Sequence, residues 1–233
     1  MRLLELVFRE INVVLVHAGV NVQGISLDRL RSARPAANIH VASSPAALSV
    51  TYTDERLAVH LDGQRITATD TSSRGAESSP VVEAALVHHG AIGAPVAVAF
   101  GYNVRFDFRV EGVGDPEKQL REGLLRSPSS LAGALGVETF QLGVKLVFPR
   151  GVKTWMFHLE PQMGSAGRLA VHANVHEDLR LPPGPEGPPP PAWLAGSLQS
   201  SGPAFPGVES MKDDLVRQVL ASMETTANIL RTV

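Results

Sequence analysis

The sequence contains no cysteine, and only 5% of its 233 residues are aromatic. Without cysteine the chain has no disulfide, no thiolate metal ligand and no cysteine nucleophile. Its few aromatic residues fall mostly at positions that face a core, so they offer no stacking platform for single-stranded nucleic acid. The formal net charge of −2 leaves no general basic field. We therefore expect no nucleic-acid partner.

Long apolar runs are also missing. No stretch of about 18 or more apolar residues occurs, so we expect no membrane span and no membrane partner. The apolar residues 1–16 are interrupted by Glu5, Arg9 and Glu10 and lack a small-residue cleavage site, which argues against a signal peptide. Together with the missing disulfides, this predicts a cytoplasmic protein. Because arginine supplies 17 of the 21 basic residues, we also expect a GC-rich, bacterial source.

Sequence motifs for common catalytic and cofactor sites are absent as well. There is no Gly-x-Ser-x-Gly elbow and no Walker phosphate-binding loop. The nearest approach to a dinucleotide fingerprint, Gly112-Val113-Gly114, lacks the third glycine and its strand–helix setting. We therefore expect no cofactor and lean away from an enzyme.

What the sequence does carry is a strand-rich pattern. Apolar residues make up 44% of the chain, enough for a sizeable core at this length. Alternation of apolar and polar residues is typical of strands with one dry and one wet face, and strands joined by short turns pair antiparallel. The sequence predicts an α+β fold, with mostly antiparallel twisted sheet or sheets and a few short helices packed on one face. The predicted strands lie at 3–16, 48–53, 56–70 (a hairpin), 95–110, 138–148, 152–160 and 168–178.

Residues typical of turns and helix caps separate the predicted strands. Asp62-Gly63 predicts a hairpin turn of the kind that needs positive φ. Short helices are predicted at 79–90 and from Asp115 to Pro128, which stops the helix. A second short turn before residue 137 is left open. His88 and His89 end the first of these helices, where histidine interacts well with the negative end of the dipole. His17 is isolated and carries no signal.

A proline-rich stretch divides the chain into a β-rich domain at 1–180, a linker or surface strap at 181–206 and a C-terminal segment at 207–233. Residues 182–206 hold nine of the 17 prolines, so neither a helix nor a central strand can run through them. The favoured interpretation is a strap pinned to the protein by Trp193. The alternative is a docking motif for an aromatic groove, with Trp193 as its anchor.

The segment at 207–233 predicts an amphipathic helix. Its apolar residues recur at helical spacing and form one continuous stripe. This stripe covers either the chain's own sheet or the surface of a second copy or a partner protein, and the spacing does not choose between them. The candidate interaction residues on it are Met211, Leu215, Val219, Met223 and Leu230.

The polar face of the last predicted hairpin is the best place for chemistry. If this segment is extended, His172 and His176 lie about 13 Å apart and cannot share a metal ion. His158 would face His172 across the strands if the turn centres near Ser165, which is close enough for shared ligation. The favoured alternative is a solvated face without a metal. The candidate ligands are His158, Glu160, His172, Asn174 and His176.

Three functions follow, of which the first is preferred and the other two rank equally. The first is a non-catalytic interaction or assembly protein with a protein partner or a second copy, because catalytic signatures are missing and the C-terminal helix needs something to cover. The second is a metal-dependent or histidine-based enzyme that uses the last hairpin. The third is a binder of a small ligand in a curved sheet.

Overall fold

The computed structural model describes residues 3–35, 38–110, 115–125, 127–138, 142–151, 153–161, 168–179 and 208–232. The predicted strap at 181–206 and its Trp193 lie outside these residues.

The strands within the described residues form one antiparallel sheet. The sheet has nine strands in the order β2-β3-β4-β5-β1-β6-β9-β8-β7, so the first strand occupies its centre. The strands are β1 (Leu3–His17), β2 (Ile39–Ser43), β3 (Ala47–Tyr52), β4 (Leu57–Asp62), β5 (Arg65–Asp70), β6 (Ala97–Val110), β7 (Val144–Arg150), β8 (Lys153–Pro161) and β9 (Leu169–Asp178).

Five α-helices accompany the sheet in the described parts of the chain: α1 (Leu27–Ala33), α2 (Val81–Ala91), α3 (Pro116–Leu124), α4 (Pro128–Leu135) and α5 (Val208–Thr232). Helix α2 contacts β1, β4 and β5, and α5 contacts β6, β9, α2 and α3. These contacts, together with the sheet, confirm the predicted α+β class. None of these helices combines the length and apolar character needed to cross a bilayer.

Each strand of the sheet centre has one dry face. In β6, Tyr102, Val104 and Phe106 are buried against the helices, while Asn103 and Arg105 point to the other side. We call that other side the open face. The same alternation in β1, β4, β5, β8 and β9 gives one continuous core cluster that joins residues of the N-terminal half to those of the last hairpin and α5.

The hairpin at Asp62-Gly63 forms as predicted, although its chemistry differs from the prediction. The Asp62 Oδ1 atom accepts hydrogen bonds from the backbone N–H groups of Gln64 and Arg65, both at 2.7 Å. Gly63 does not adopt the left-handed φ that the predicted turn type requires. The carboxylate therefore holds this turn, as aspartate does in Asx-turns.

Some element boundaries differ from those that the sequence predicts. The strand predicted at 138–148 begins at Val144, and Glu138 precedes it outside any strand. The prediction missed β2 and α1. Helix α1 has Leu30 as its one buried residue, so it lacks the apolar periodicity that marks longer helices. The Ser26 hydroxyl accepts from the Arg29 N–H at 3.3 Å and caps it.

Candidate functional site

The last hairpin is extended, as the period-two pattern predicts. His158 of β8 lies directly opposite His172 of β9, and His172 lies opposite Arg105 of β6. The two outer neighbours in this row are Lys145 of β7 and Glu10 of β1. A band of titratable side chains therefore crosses five adjacent strands on the open face.

A shallow cleft of about 410 Å³ lies on this band. We call it the open-face cleft. Its side chains come from four adjacent strands of the sheet: the last hairpin, β8 and β9, and the two strands β1 and β6 from earlier in the chain. The charged and imidazole residues that line it are Arg9, Glu10, Arg105, Asp107, His158, Glu160 and His172.

The acidic groups of the cleft have partners within the protein. The Arg9 Nε atom donates to Asp107 Oδ2 at 2.8 Å, and the Asp107 residue is only 4% exposed. The Asn12 side chain donates to Glu10 Oε1 at 2.8 Å. His158 Nε2 lies 3.2 Å from Glu160 Oε1. These contacts hold the cleft walls in place.

The Arg105 guanidinium and the His172 imidazole are different from their neighbours. Neither makes a hydrogen bond or a close ion pair within the described residues. Both side chains are exposed on the open face. The pKa of His172 is lowered, first because the surrounding strands remove part of its water and second because Arg105 is cationic. At neutral pH the imidazole is therefore uncharged and can donate one N–H group.

The remaining predicted ligands do not join the cleft. The Asn174 Nδ2 atom donates to the Asn103 side-chain oxygen, which ties β9 to β6. His176 lies opposite Thr154 and Gly101, four residues along the strand from His172. Among the described residues, no group of three or more histidine and acidic side chains is arranged to hold a metal ion. Of the five predicted ligands, His158 and His172 face each other across the strands. The metal site itself stays a prediction.

Helix α5 covers its own chain, which is one of the two alternatives that the sequence left open. Met211, Leu215, Val219 and Leu230 are all at most 3% exposed, and Met223 is partly buried. Polar contacts add to this packing. Lys153 Nζ lies 2.7 Å from Asp214 Oδ2, and the Tyr102 hydroxyl donates to the Met211 carbonyl at 3.3 Å. The apolar stripe of α5 is therefore used within the chain.

Apolar surface is concentrated elsewhere, around α4. The exposed fractions are 45% for Leu124, 39% for Leu131, 57% for Leu135 and 45% for Val137. No residue of α4 is buried. We call these four side chains the α4 patch. Sequence reasoning missed it, although a signal was present: residues 127–137 contain no charged side chain.

A second feature that sequence reasoning missed is a set of buried histidines. His88 and His89 occupy the last turn of α2, as predicted, but they are 0% and 5% exposed. His88 Nε2 lies 3.0 Å from the Tyr52 hydroxyl, and its Nδ1 lies 2.8 Å from the Ala84 carbonyl. His89 stacks on His17, which is 3% exposed. These rings fill the interior between α2 and the sheet.

Comparison with known proteins gives no family for this chain. No protein-family model matches its sequence, and the search of curated proteins finds no significant relative.

Proposed function

We propose that this chain is a non-catalytic assembly protein that associates with a second copy of itself through the α4 patch. The observation that carries the proposal is the concentration of exposed apolar side chains at Leu124, Leu131, Leu135 and Val137. Single exposed apolar residues are ordinary on protein surfaces, whereas a contiguous apolar patch marks an interaction site. Full burial of one leucine side chain contributes about 1.5–3 kcal/mol, so a few such contacts matter.

The chemistry of α4 favours a second copy as the partner. A symmetric contact places the same surface on both subunits, so a charged residue near the two-fold axis would meet its own copy. Residues 127–137 carry no charge, which removes that repulsion. Leu131 and Leu135 are four residues apart on the helix and therefore share one face. Two such faces can pack against each other.

The β7 edge of the sheet is a weaker candidate for the contact. Strand β7 is one of the two edge strands, and it carries Lys145 and Pro149 on the open face. Lysine and proline on edge strands discourage pairing with another chain. The α4 patch has no such protection. The composition, without cysteine and rich in arginine, supports a cytoplasmic, bacterial setting for this assembly.

Sedimentation velocity of the full chain tests the proposal. We expect the wild-type chain to be a dimer or larger, and the double variant Leu131→Asp/Leu135→Asp to be a folded monomer. Leu220→Asp is the matched control, because Leu220 of α5 is 57% exposed, like Leu135, and lies outside the patch. Circular dichroism checks that each variant is folded.

Two results would contradict this proposal. One is a wild-type chain that remains monomeric at the highest concentration that stays in solution. The other is a double variant that associates as strongly as the Leu220→Asp control.

A further inference from the structure

We infer that the open-face cleft binds a singly charged carboxylate group, which Arg105 and His172 hold between them. This inference does not depend on self-association through the α4 patch, because none of the four patch residues lines the cleft. It adds a ligand to a site separate from the patch.

The first step of the argument is the placement of the two groups. Arg105 and His172 are register partners on the adjacent strands β6 and β9. Residues that face each other directly across two strands have Cβ atoms about 5 Å apart. Both side chains leave the same face of the sheet and line the same cleft. A single small anionic group can therefore contact both.

The second step is that the carboxylates near Arg105 are engaged by other groups. Asp107, two residues along the same strand, is held by Arg9. Glu10 lies opposite Arg105 in the register, but its Oε1 atom accepts from Asn12 at 2.8 Å. Within the described residues no carboxylate oxygen lies within 4.0 Å of the Arg105 guanidinium. Its donors are thus available to a ligand.

The third step selects the ligand by its charge. At neutral pH the cleft contains the two guanidinium groups of Arg9 and Arg105 and three carboxylates, from Glu10, Asp107 and Glu160. This acidic excess opposes any anion, and it opposes a doubly charged phosphate or sulfate group more strongly than a singly charged one. A carboxylate carries one charge and matches the planar fork of a guanidinium in a bidentate pair. The neutral His172 imidazole supplies one further N–H donor without adding charge.

A carboxylate could come from a small organic acid or from the C-terminus of a polypeptide. The shared chemistry is one planar, singly charged group. Acetate probes the first source, and N-acetyl-alanyl-alanine probes the second, with its C-terminal amide as the uncharged counterpart. Saturable binding of either carboxylate supports the inference, and comparison of the two identifies the source.

Nuclear magnetic resonance of the full chain, with its histidine rings isotopically labelled, measures this binding through the His172 signals. Acetate, the dipeptide, its amide and phosphate are each titrated at constant ionic strength maintained with chloride. We expect saturable shifts of the His172 ring with at least one carboxylate and weaker or no shifts with phosphate and the amide.

Substitutions on β6 then assign the contact. We expect Arg105→Gln to weaken carboxylate binding by at least about tenfold, because it removes a charged, bidentate donor. Arg105→Lys keeps the charge but loses the fork, and it should bind with intermediate affinity. Arg109→Gln is the matched control: Arg109 is an exposed arginine on the same face of the same strand, and it does not line the cleft.

The inference is overturned by any of three results: no saturable shift with either carboxylate, binding of phosphate as tight as that of the carboxylates, or unchanged affinity in a folded Arg105→Gln variant. The Leu131→Asp/Leu135→Asp variant should bind the carboxylate like the wild type. That result separates this inference from the proposed self-association.

Discussion

The imidazole rings of His17 and His89 stack inside the protein, with centroids 5.1 Å apart and ring planes at 28°. His17 ends β1 and His89 lies in the last turn of α2, so the pair joins this helix end to the central strand. Burial lowers the pKa of both rings. The pKa of His89 falls to about 4, first because of burial and second because of the neighbouring His17 ring.

This pair predicts loss of stability in mild acid. A histidine whose pKa is lowered by folding takes up its proton more readily in the unfolded chain. Above pH 6.5, the ordinary pKa of histidine, His89 should not affect the free energy of unfolding. Below pH 6.5 the free energy of unfolding should decrease as the pH falls toward about 4, the pKa of His89 in the folded chain. The full loss from His89 amounts to up to about 3 kcal/mol.

Urea unfolding at several pH values between about 7.5 and 4.5 measures this effect. His89→Phe keeps an aromatic ring and cannot titrate, so its stability should depend less steeply on pH. His40→Phe, at an exposed position of β2, is the control and should keep the wild-type slope. Equal slopes for wild type and His89→Phe would show that the prediction is wrong.

A second prediction concerns Lys153, which joins the sheet to α5. Its Nζ atom lies 2.7 Å from Asp214 Oδ2 and 3.9 Å from Glu177 Oε2. Burial raises the pKa of Glu177, and Lys153 opposes that rise. Lys153→Met removes the cation that Glu177 and Asp214 share, while Asp214 keeps Arg217 at 3.7 Å. We expect a loss of about 2 kcal/mol at neutral pH, since breaking a partly buried pair leaves unpaired charges.

The sign of the pH dependence distinguishes this effect from a loss of packing. Without Lys153 the pKa of Glu177 rises further, so the folded variant binds a proton more tightly than the unfolded chain. The penalty should be greatest above that pKa and should shrink as the pH falls and Glu177 takes up its proton. The measurement is the difference in unfolding free energy between variant and wild type, with the exposed Lys145→Met as control. A difference that does not change with pH would argue against charge as the cause.

The packing of α5 gives a third prediction. Leu215 is 0% exposed and Leu220 is 57% exposed on the same helix. Leu215→Ala should lower the free energy of unfolding by about 2–5 kcal/mol, because it removes buried methyl groups and leaves a cavity. Leu220→Ala has the same helix propensity change and should stay within about 0.5 kcal/mol of wild type. Thermal or urea unfolding measures both, and similar losses would mean that α5 does not pack on its own sheet in solution.

The entry to α2 supplies a fourth prediction. Asp70 is 2% exposed, and its Oδ2 atom accepts from the Ser79 hydroxyl at 2.8 Å. Ser79→Ala leaves one buried carboxylate oxygen without this donor, so we expect a loss of about 1–3 kcal/mol. Ser78→Ala is the control, since the Ser78 hydroxyl is exposed and donates only to the Gly75 carbonyl at 3.3 Å. Equal stability of the two variants would contradict the role of the Asp70–Ser79 bond.

Local patterns determined much of the site in advance. The period-two alternation of 152–160 and 168–178 is sufficient to predict strands. The pairing of His158 with His172 was predicted only for a turn centred near Ser165, and the structure has that pairing. The amphipathic stripe at 211–230 likewise predicts the helix, because 3.6-residue periodicity is a property of neighbouring residues. The stripe does not indicate which surface the helix packs against.

By itself, then, the sequence determined the secondary-structure class and the strand faces of the last hairpin, since each depends on residues close together in the chain. Only the tertiary structure decided which distant segments meet. The central position of β1, between β5 and β6, brings Glu10 and Arg9 to the cleft of Arg105 and His172 and allows His17 to stack on His89. Such contacts depend on strand order, which is set by the packing of the whole core and has no periodic signal along the chain.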